Sequence, residues 1–517
     1  MADNPAVRSL GNLGRIFEDA GQFSVEPANQ TYRPVVTASL AVDYALGHGY
    51  TVFWFHLSTL LWFLVLVVLI KLLFERLLNI VRPAPANNWL ALGIAAWFGL
   101  HPAMAETVNY IIQRADLYCT LGCVAALYLY ARFPGLRRTG LYLLPFTLAM
   151  LSKPPATVFP VLLMLYVFFF ESAGHSARRW RLSLIAALPA LGLAAILLFV
   201  QMRMTPETFS PGILSASDYR LTQPFVWLRY VGSLFLPIHL NVDTDLNPFI
   251  ELNGRALIGI LFVCGLIAVT IYAARGRKLY PIAFGLAWFM VTQVPTSLYT
   301  LSEVENDHRM FFSFPGLMLA VVWGFYLIAG HVRKRANRNT TGRLWMRYVV
   351  LAGIFCILCG YAYGAHRRNA VWRSEETLWA DDVVKSPHNG RGLMMYGLTR
   401  MTAGDLTGAR LLFEQALQYS PNFSTLEVNL GVVNGLLADR GEPMRARIAE
   451  DHFRTAEELA ASDDTVHAYY GRWLMTQGRL EEAVAELKLA VSLNSERPDE
   501  SRSVVTGVHA ERKPRGG

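Results

Sequence analysis

A carboxylate in reach of a hydroxyl can take its proton, and cations at one depth of a bilayer can hold a phosphate; the chain carries both kinds of group at the ends of its apolar runs. His101, Glu106, Arg114 and Asp116 lie in HPAMAETVNYIIQRAD, between apolar stretches at 89–100 and 117–131. Tyr32-Arg33-Pro34 and Asp43 come before this loop and Lys153-Pro154-Pro155 after it. Further on are Asp243, Asp245 and the run Glu303-Val-Glu-Asn-Asp-His308-Arg309. Charge set among membrane helices is rare, and where it occurs it is commonly paired or functional. A transferase with a lipid-linked donor needs this set: cations to grip a phosphate at headgroup depth and a carboxylate to deprotonate an acceptor hydroxyl.

Each group also has a plainer reading. Arg114, at the start of an apolar run, has the position of an arginine that snorkels to the interface, although Glu106 and Asp116 offer it partners. His101 before Pro102 suits a helix end, and Lys153 before two prolines suits an interfacial anchor. His308 and Arg309 have the better claim to function, because the chain re-enters an apolar run directly after them and sets the guanidinium at headgroup depth. Asp307 and His308 together with Asp243 and Asp245 are chemically able to bind a divalent metal, but no tight ligand spacing supports it, so no metal or cofactor is expected.

Composition fixes the setting of these residues. The 517 residues are 53% apolar and 17% charged, with a mean hydropathy of +0.30. The charge is well below the roughly 25% of an ordinary soluble domain, which makes this an integral membrane protein with a soluble appendage. Net charge is +8, but the basic residues fall in short clusters between apolar runs. That is the pattern of topology signals, and it argues against nucleic acid as a partner. All five cysteines lie inside apolar runs, so no disulfide framework is expected; Cys356-x-x-Cys359 reads as packing in a membrane helix.

Apolar runs occur at about 52–74, 89–101, 117–132, 139–152, 157–171, 181–201, 255–274, 280–296, 313–331 and 345–365, with an amphipathic one at 222–240. This predicts an all-α polytopic protein with about 10 to 11 hydrophobic helices. If Tyr50 is outside and the spans alternate, the inner connections hold eighteen Lys and Arg and the longer outer connections hold seven. The positive-inside rule therefore favours that orientation. Alternation then requires 222–240 to be re-entrant or to lie along the surface.

The C-terminal part has an internal period. Counting Gly390 as position 1 puts Gly397, Ala409, Phe413, Ala416 and Pro421 at positions 8, 20, 24, 27 and 32 of a tetratricopeptide unit. A second unit carries Gly431, Ala449, Phe453 and Ala456, and a third Gly471, Ala483, Leu487 and Ala490. The division expected is an outer arm at 1–50, a membrane domain at 51–366, a linker at 367–389, repeats forming an α-solenoid at 390–495 and a disordered tail at 496–517.

YRPVVTASLAVDYALG, FWFHLSTLLWF, HPAMAETVNYIIQRAD, LSKPPATVFPVLL, NDHRMFFSFPG, RRNAVWRSEETLW and the terminal repeats, in that order, resemble the TMTC-type membrane proteins and their bacterial relatives. The resemblance covers essentially the whole chain. It implies a GT-C-like fold that transfers mannose or a related sugar from a polyprenyl-phosphate carrier to protein Ser or Thr, with inversion. Arg33, His101, Glu106, Arg114, Asp116, Lys153, His308 and Arg309 would then face donor and lipid phosphate. Membrane lipids and a protein acceptor held by the repeats are the other expected partners. The expected location is a bacterial inner membrane, with the repeats on the periplasmic side.

The chain departs from that family at one place. There a first membrane helix leads to an outer loop whose acidic pair holds the catalytic carboxylate, shortly before an Asn-Pro like Asn4-Pro5. The sequence here begins three residues before Asn4. The resemblance predicts either a start further upstream or a member without that carboxylate, and the topology count favours a missing helix. Glu18 and Asp19 are the nearest acidic pair and the substitute catalytic candidates, though they also suit a solvated turn. A non-catalytic membrane scaffold for the repeats is the rival function; a transporter fits less well, because few ionisable residues sit at mid-span.

Overall fold

The computed structural model describes residues 4–25, 29–172, 176–207, 209, 214–335 and 340–493, without the side chains of 332–347. Among them there is no strand, and the fold is all-α. Among the described residues, six helices are long and apolar enough to cross a bilayer: Val52–Val81, Pro154–Glu171, Ser176–Met204, Gly254–Ala273, Asp307–His331 and Tyr348–Val371. At 1.5 Å per residue, about 20 residues span the hydrocarbon layer, and five of the six reach that length. This is an all-α polytopic membrane protein.

The other apolar runs are also helical but shorter or more polar. Ala86–Leu100 has 15 residues and Leu143–Met150 has 8, so the 139–152 run is not one continuous helix. Gly140, with φ +74°, closes the preceding helix Pro134–Thr139 and breaks the run. The amphipathic stretch begins earlier than its hydropathy suggests: Ala216–Phe235 is one helix of 20 residues, with Pro224 inside it. The arm holds an apolar helix, Pro34–Leu46, started by proline at its first position.

The chain divides into two compact units. The first comprises residues 1–240 and 246–372; the second comprises 241–245 and 373–517. In the first, helices close on one another where glycine removes the side chain. A methyl group at Gly285 of Tyr280–Leu298 would stand 2.3 Å from the Gly316 carbonyl oxygen, and one at Gly316 would stand 2.5 Å from Trp288 Cβ. The backbones touch there, and Trp288 fills the neighbouring space with its indole N–H donated to the Phe312 carbonyl at 2.9 Å.

In the second unit, the stretch expected to be a linker holds the helix Glu375–Lys385. Ser374 and Thr377 cap it reciprocally, and Trp379 and Asp382 are buried. Three helix pairs follow: Gly390–Thr402 with Leu406–Tyr419, Ser424–Asp439 with Arg445–Leu459, and Asp464–Thr476 with Leu480–Leu493. In each pair a glycine of the first helix meets a large side chain of the second: Gly397 meets Phe413, Gly431 meets Phe453, and Gly471 meets Leu487. The tail expected at 496–517 and the basic side chains expected at 333–347 lie outside the described residues.

The Gly285 contact is with backbone, which cannot rotate away. Gly285→Ala should destabilise the protein by about 1–3 kcal/mol, read as a lower unfolding midpoint in detergent. Gly93→Ala, where a methyl group meets nothing within 4 Å, should leave the midpoint unchanged or slightly raised.

Candidate functional site

The helix Arg114–Arg132 places two opposite charges in its first turn. Arg114 donates to Asp43 Oδ2 at 2.5 Å, to the Phe55 carbonyl at 2.8 Å and to Ser39 Oγ at 3.3 Å. Its side chain is 0% exposed and that of Asp43 4%. The arm helix and Val52–Val81 are therefore joined through one sealed ion pair, and of the readings open to Arg114 it is pairing that the structure shows, with Asp43 as the partner. Ser58 supplies a second donor to the same carboxylate oxygen at 2.7 Å.

Asp116 points elsewhere. It accepts from Lys153 Nζ at 2.7 Å, and Lys153 also reaches Gln113 Oε1 at 3.4 Å. The lysine expected to anchor the interface is thus largely buried and paired. Burial lowers its pKa, Asp116 opposes that shift, and the nearby Arg33 adds to it. Arg33 is half-buried; its guanidinium stands over the Phe23 ring at 5.0 Å, and its buried Nε has no hydrogen-bond partner. Burial also lowers the pKa of Arg33, and the charge of Asp116 offsets the effect. Two cations and one carboxylate, from three distant parts of the sequence, share one region.

The chain of contacts continues from Gln113. Its side-chain nitrogen lies 3.3 Å from His308 Nδ1, which lies 3.1 Å from Glu106 Oε1. The other carboxyl oxygen of Glu106 is buried without a hydrogen-bond partner. Burial, and next the neighbouring Asp307 carboxylate, push the Glu106 carboxyl well above the usual carboxylate range, while Arg368 pulls it back. Arg368, from the end of Tyr348–Val371, stands 4.0 Å from Asp307. Asn109 donates to Asn369 at 2.7 Å, and the Tyr110 and Trp372 rings stack at 6.0 Å, so the end of this last helix packs on the 104–113 loop.

Glu106, Asp116, Lys153 and His308 are therefore joined through Gln113 into one cluster, with Arg33 near enough for the charge of Asp116 to act on it. The remaining candidates are not. The Arg309 guanidinium is taken up by the carbonyls of Val304 at 3.0 Å and Glu303 at 2.8 Å and by Tyr219 Oη at 3.2 Å. It ties the 303–309 loop to itself. His101 is buried, takes the Ala103 N–H on Nδ1 at 3.2 Å and has Nε2 3.1 Å from the Leu234 carbonyl, against the Phe314 and Tyr361 rings. Because Nδ1 accepts, Nε2 must carry the proton, and the ring bridges two helices. Glu18 and Asp19 are exposed, and Asp19 spends its carboxylate on Gly21 N–H and Gln22 as the cap of the turn Ala20–Phe23. Asp243 and Asp245 belong to the second unit, where Arg391 and His388 face them at 3.6 and 3.7 Å.

Sequence reasoning passed over Gln113, although it lies inside the polar loop, and it left Arg368 in a linker. Only its place at the end of an apolar run could have marked Arg368. Asp43 was visible as an acid in the arm, but its partner was not.

Fold and cluster describe an integral membrane protein with charged groups held together beside its apolar helices. No family model matches the chain. It is similar to the protein O-mannosyl-transferase Tmtc3 of Drosophila melanogaster, 22% identical over 91% of this chain and 58% of that protein. It is similar as well to the protein O-mannosyl-transferase F38B6.6 of Caenorhabditis elegans, 22% identical over 76% of this chain and 54% of that one. The protein O-mannosyl-transferase Tmtc2 of Drosophila melanogaster is 25% identical over 47% of this chain and 25% of its own length. The chain spans about half the length of the first two relatives.

Asp43→Asn leaves Arg114 charged in a sealed site. It should cost about 3–5 kcal/mol, and an Asp43→Leu, Arg114→Met double variant should recover most of the loss. Thermal unfolding in detergent distinguishes the two outcomes.

Proposed function

We propose that this chain is a membrane glycosyltransferase that moves a sugar from a polyprenyl-phosphate carrier to hydroxyl groups of proteins on the extracytoplasmic side. The observation that carries the reading is the joining of Lys153, Asp116, Gln113, His308 and Glu106, from three separated stretches of sequence, with Arg33 of a fourth close enough to feel the charge of Asp116. The names of the similar proteins support the same reaction class.

Arg33 and Lys153 are the cations for the donor phosphate. Arg33 is the better placed, because no carboxylate is bonded to its guanidinium, whereas Lys153 is partly neutralised by Asp116. The phosphate gains negative charge as the sugar leaves, so cations fixed beforehand stabilise the transition state more than the ground state. Glu106, beside His308, is the proton acceptor in this reading: the acceptor hydroxyl attacks the anomeric carbon, its proton goes to the carboxylate, and the polyprenyl phosphate departs. A raised pKa suits a base working near neutral pH. Glu18 and Asp19, exposed and engaged in a cap, fit that task less well.

The three helix pairs at 390–493 are read as tetratricopeptide repeats. Glycine against Phe413, Phe453 and Leu487 at equivalent places supports this, and such a stack offers a surface to protein acceptors. The excess of basic residues on alternate connections supports placing the cluster and the repeats outside the cytoplasm.

The test is transfer of radiolabelled mannose from polyprenyl-phosphate mannose to peptides by the full chain in proteoliposomes. Arg33→Ala should lower the rate by about tenfold to a hundredfold, as expected for losing a charged hydrogen bond to phosphate. Because the Glu106 pKa is raised, its basic form appears only above that value, so the rate should climb as pH rises through it. Glu106→Gln should abolish that rise and cost at least about a hundredfold. Full activity in both variants would remove Arg33 and Glu106 from the site, and no transfer by the unaltered chain would leave the scaffold reading in place.

A further inference from the structure

The last two helix pairs hold a group of side chains that the proposed reaction does not use. Glu457 on Arg445–Leu459, His467 on Asp464–Thr476 and Glu486 on Leu480–Leu493 bring one ligand atom each to within 4.8 Å of one another. His467 is 1% exposed, although histidine has an apolar alternative at almost any such position in a helical core. Its Nε2 lies 2.9 Å from the Ala461 carbonyl, which lies outside the group, and its Nδ1 lies 2.7 Å from Glu486 Oε2.

The Ala461 carbonyl fixes which ring nitrogen is available. A carbonyl can only accept, so Nε2 keeps its proton and Nδ1 is turned toward the two carboxylates. This is how metal-binding histidines are oriented: the remote ring nitrogen donates to a carbonyl while the near one faces the metal. The Glu457 carboxylate makes no hydrogen bond or ion pair, so one acid in the group is uncommitted. A cavity of about 340 Å³ adjoins the site and is lined by Glu457 and Glu486 together with Arg454, Tyr470 and Glu482.

We propose that Glu457, His467 and Glu486 form a binding site for one divalent cation of the zinc type. One imidazole and two carboxylates are a donor set that zinc accepts, with the fourth position open to water from the cavity. Ligand bonds of about 2.0 Å in a tetrahedron put donor atoms about 3.3 Å apart. His467 Nδ1 and Glu486 therefore move apart slightly from their present contact, and Glu457 swings inward. Without metal, both ring nitrogens face acceptors and the imidazole holds a proton at Nδ1; the cation replaces that proton, which is released. Glu457 and Glu486 favour the cation and Arg454 opposes it, while the charge of Glu482 is taken up by Arg479. Because the ligands come from three successive helices, the bound cation ties the last pair to the one before it.

Equilibrium dialysis of the full chain in detergent against Zn²⁺, followed by metal analysis, tests this. The expected result is a site of unit stoichiometry with release of a proton and a higher unfolding midpoint for the second unit. Removing even an outer partner of a metal site typically costs about 10- to 100-fold in affinity, so Glu457→Gln should weaken this site at least about tenfold. That variant leaves the His467–Glu486 contact intact, so its fold is expected to survive; His467→Gln should abolish the site. Comparison of variants with the unaltered chain subtracts zinc held by the remaining histidines. Unchanged zinc affinity and stoichiometry in Glu457→Gln would overturn the proposal, as would failure of the unaltered chain to bind a stoichiometric ion.

Discussion

The placing of the arm and of the charged groups beside it depends on the sealed ion pair between Arg114 and Asp43. A guanidinium that is 0% exposed must be compensated where it stands, and Asp43, the Phe55 carbonyl and Ser39 do so. The pair holds the arm helix against Val52–Val81 and fixes the rotation of Arg114–Arg132. Residues two apart on a helix point roughly 200° from one another. Once Arg114 is turned toward the arm, Asp116 is turned toward Lys153. A single helical turn thus separates a structural charge from one that faces the cluster.

The cluster has a different economy of charge. Lys153 and Asp116 satisfy each other, but Arg33 lacks a bonded carboxylate and Glu106 keeps one oxygen without a hydrogen-bond partner. Buried groups left in that state raise the free energy of the resting protein, and they are retained where a ligand or a proton completes them. Arg309 stands apart from the cluster because both of its terminal nitrogens are bonded to carbonyls and a tyrosine hydroxyl of its own surroundings.

Much of this was legible in the sequence, in one particular way. Runs of apolar residues placed the helices, and the spacing of Gly397, Ala409, Phe413 and Ala416 placed the first helix pair, because both signals are local and periodic. The polar loop at 101–116 was visible because charge is rare between apolar runs. What could not be read was who pairs with whom. Arg114 meets a partner 71 residues away, and Glu106 meets His308 across 202. Such choices are made by tertiary packing. The helix in the stretch expected to be a linker was missed for a different reason: its signals, Ser374 and Thr377, are local but short.

Arg309 holds its loop by main-chain oxygens, at Val304 and Glu303, and this has an outcome for how the protein varies. A carbonyl is present whatever the side chain, so the start of the loop depends on the arginine at its end, while Glu305 on Arg229 and the Asn306 cap on the His308 N–H fix the stretch between. The solvent-facing positions before it, such as Ser302, are consequently free to drift, and the surface they offer can be retailored while the backbone beneath keeps its course.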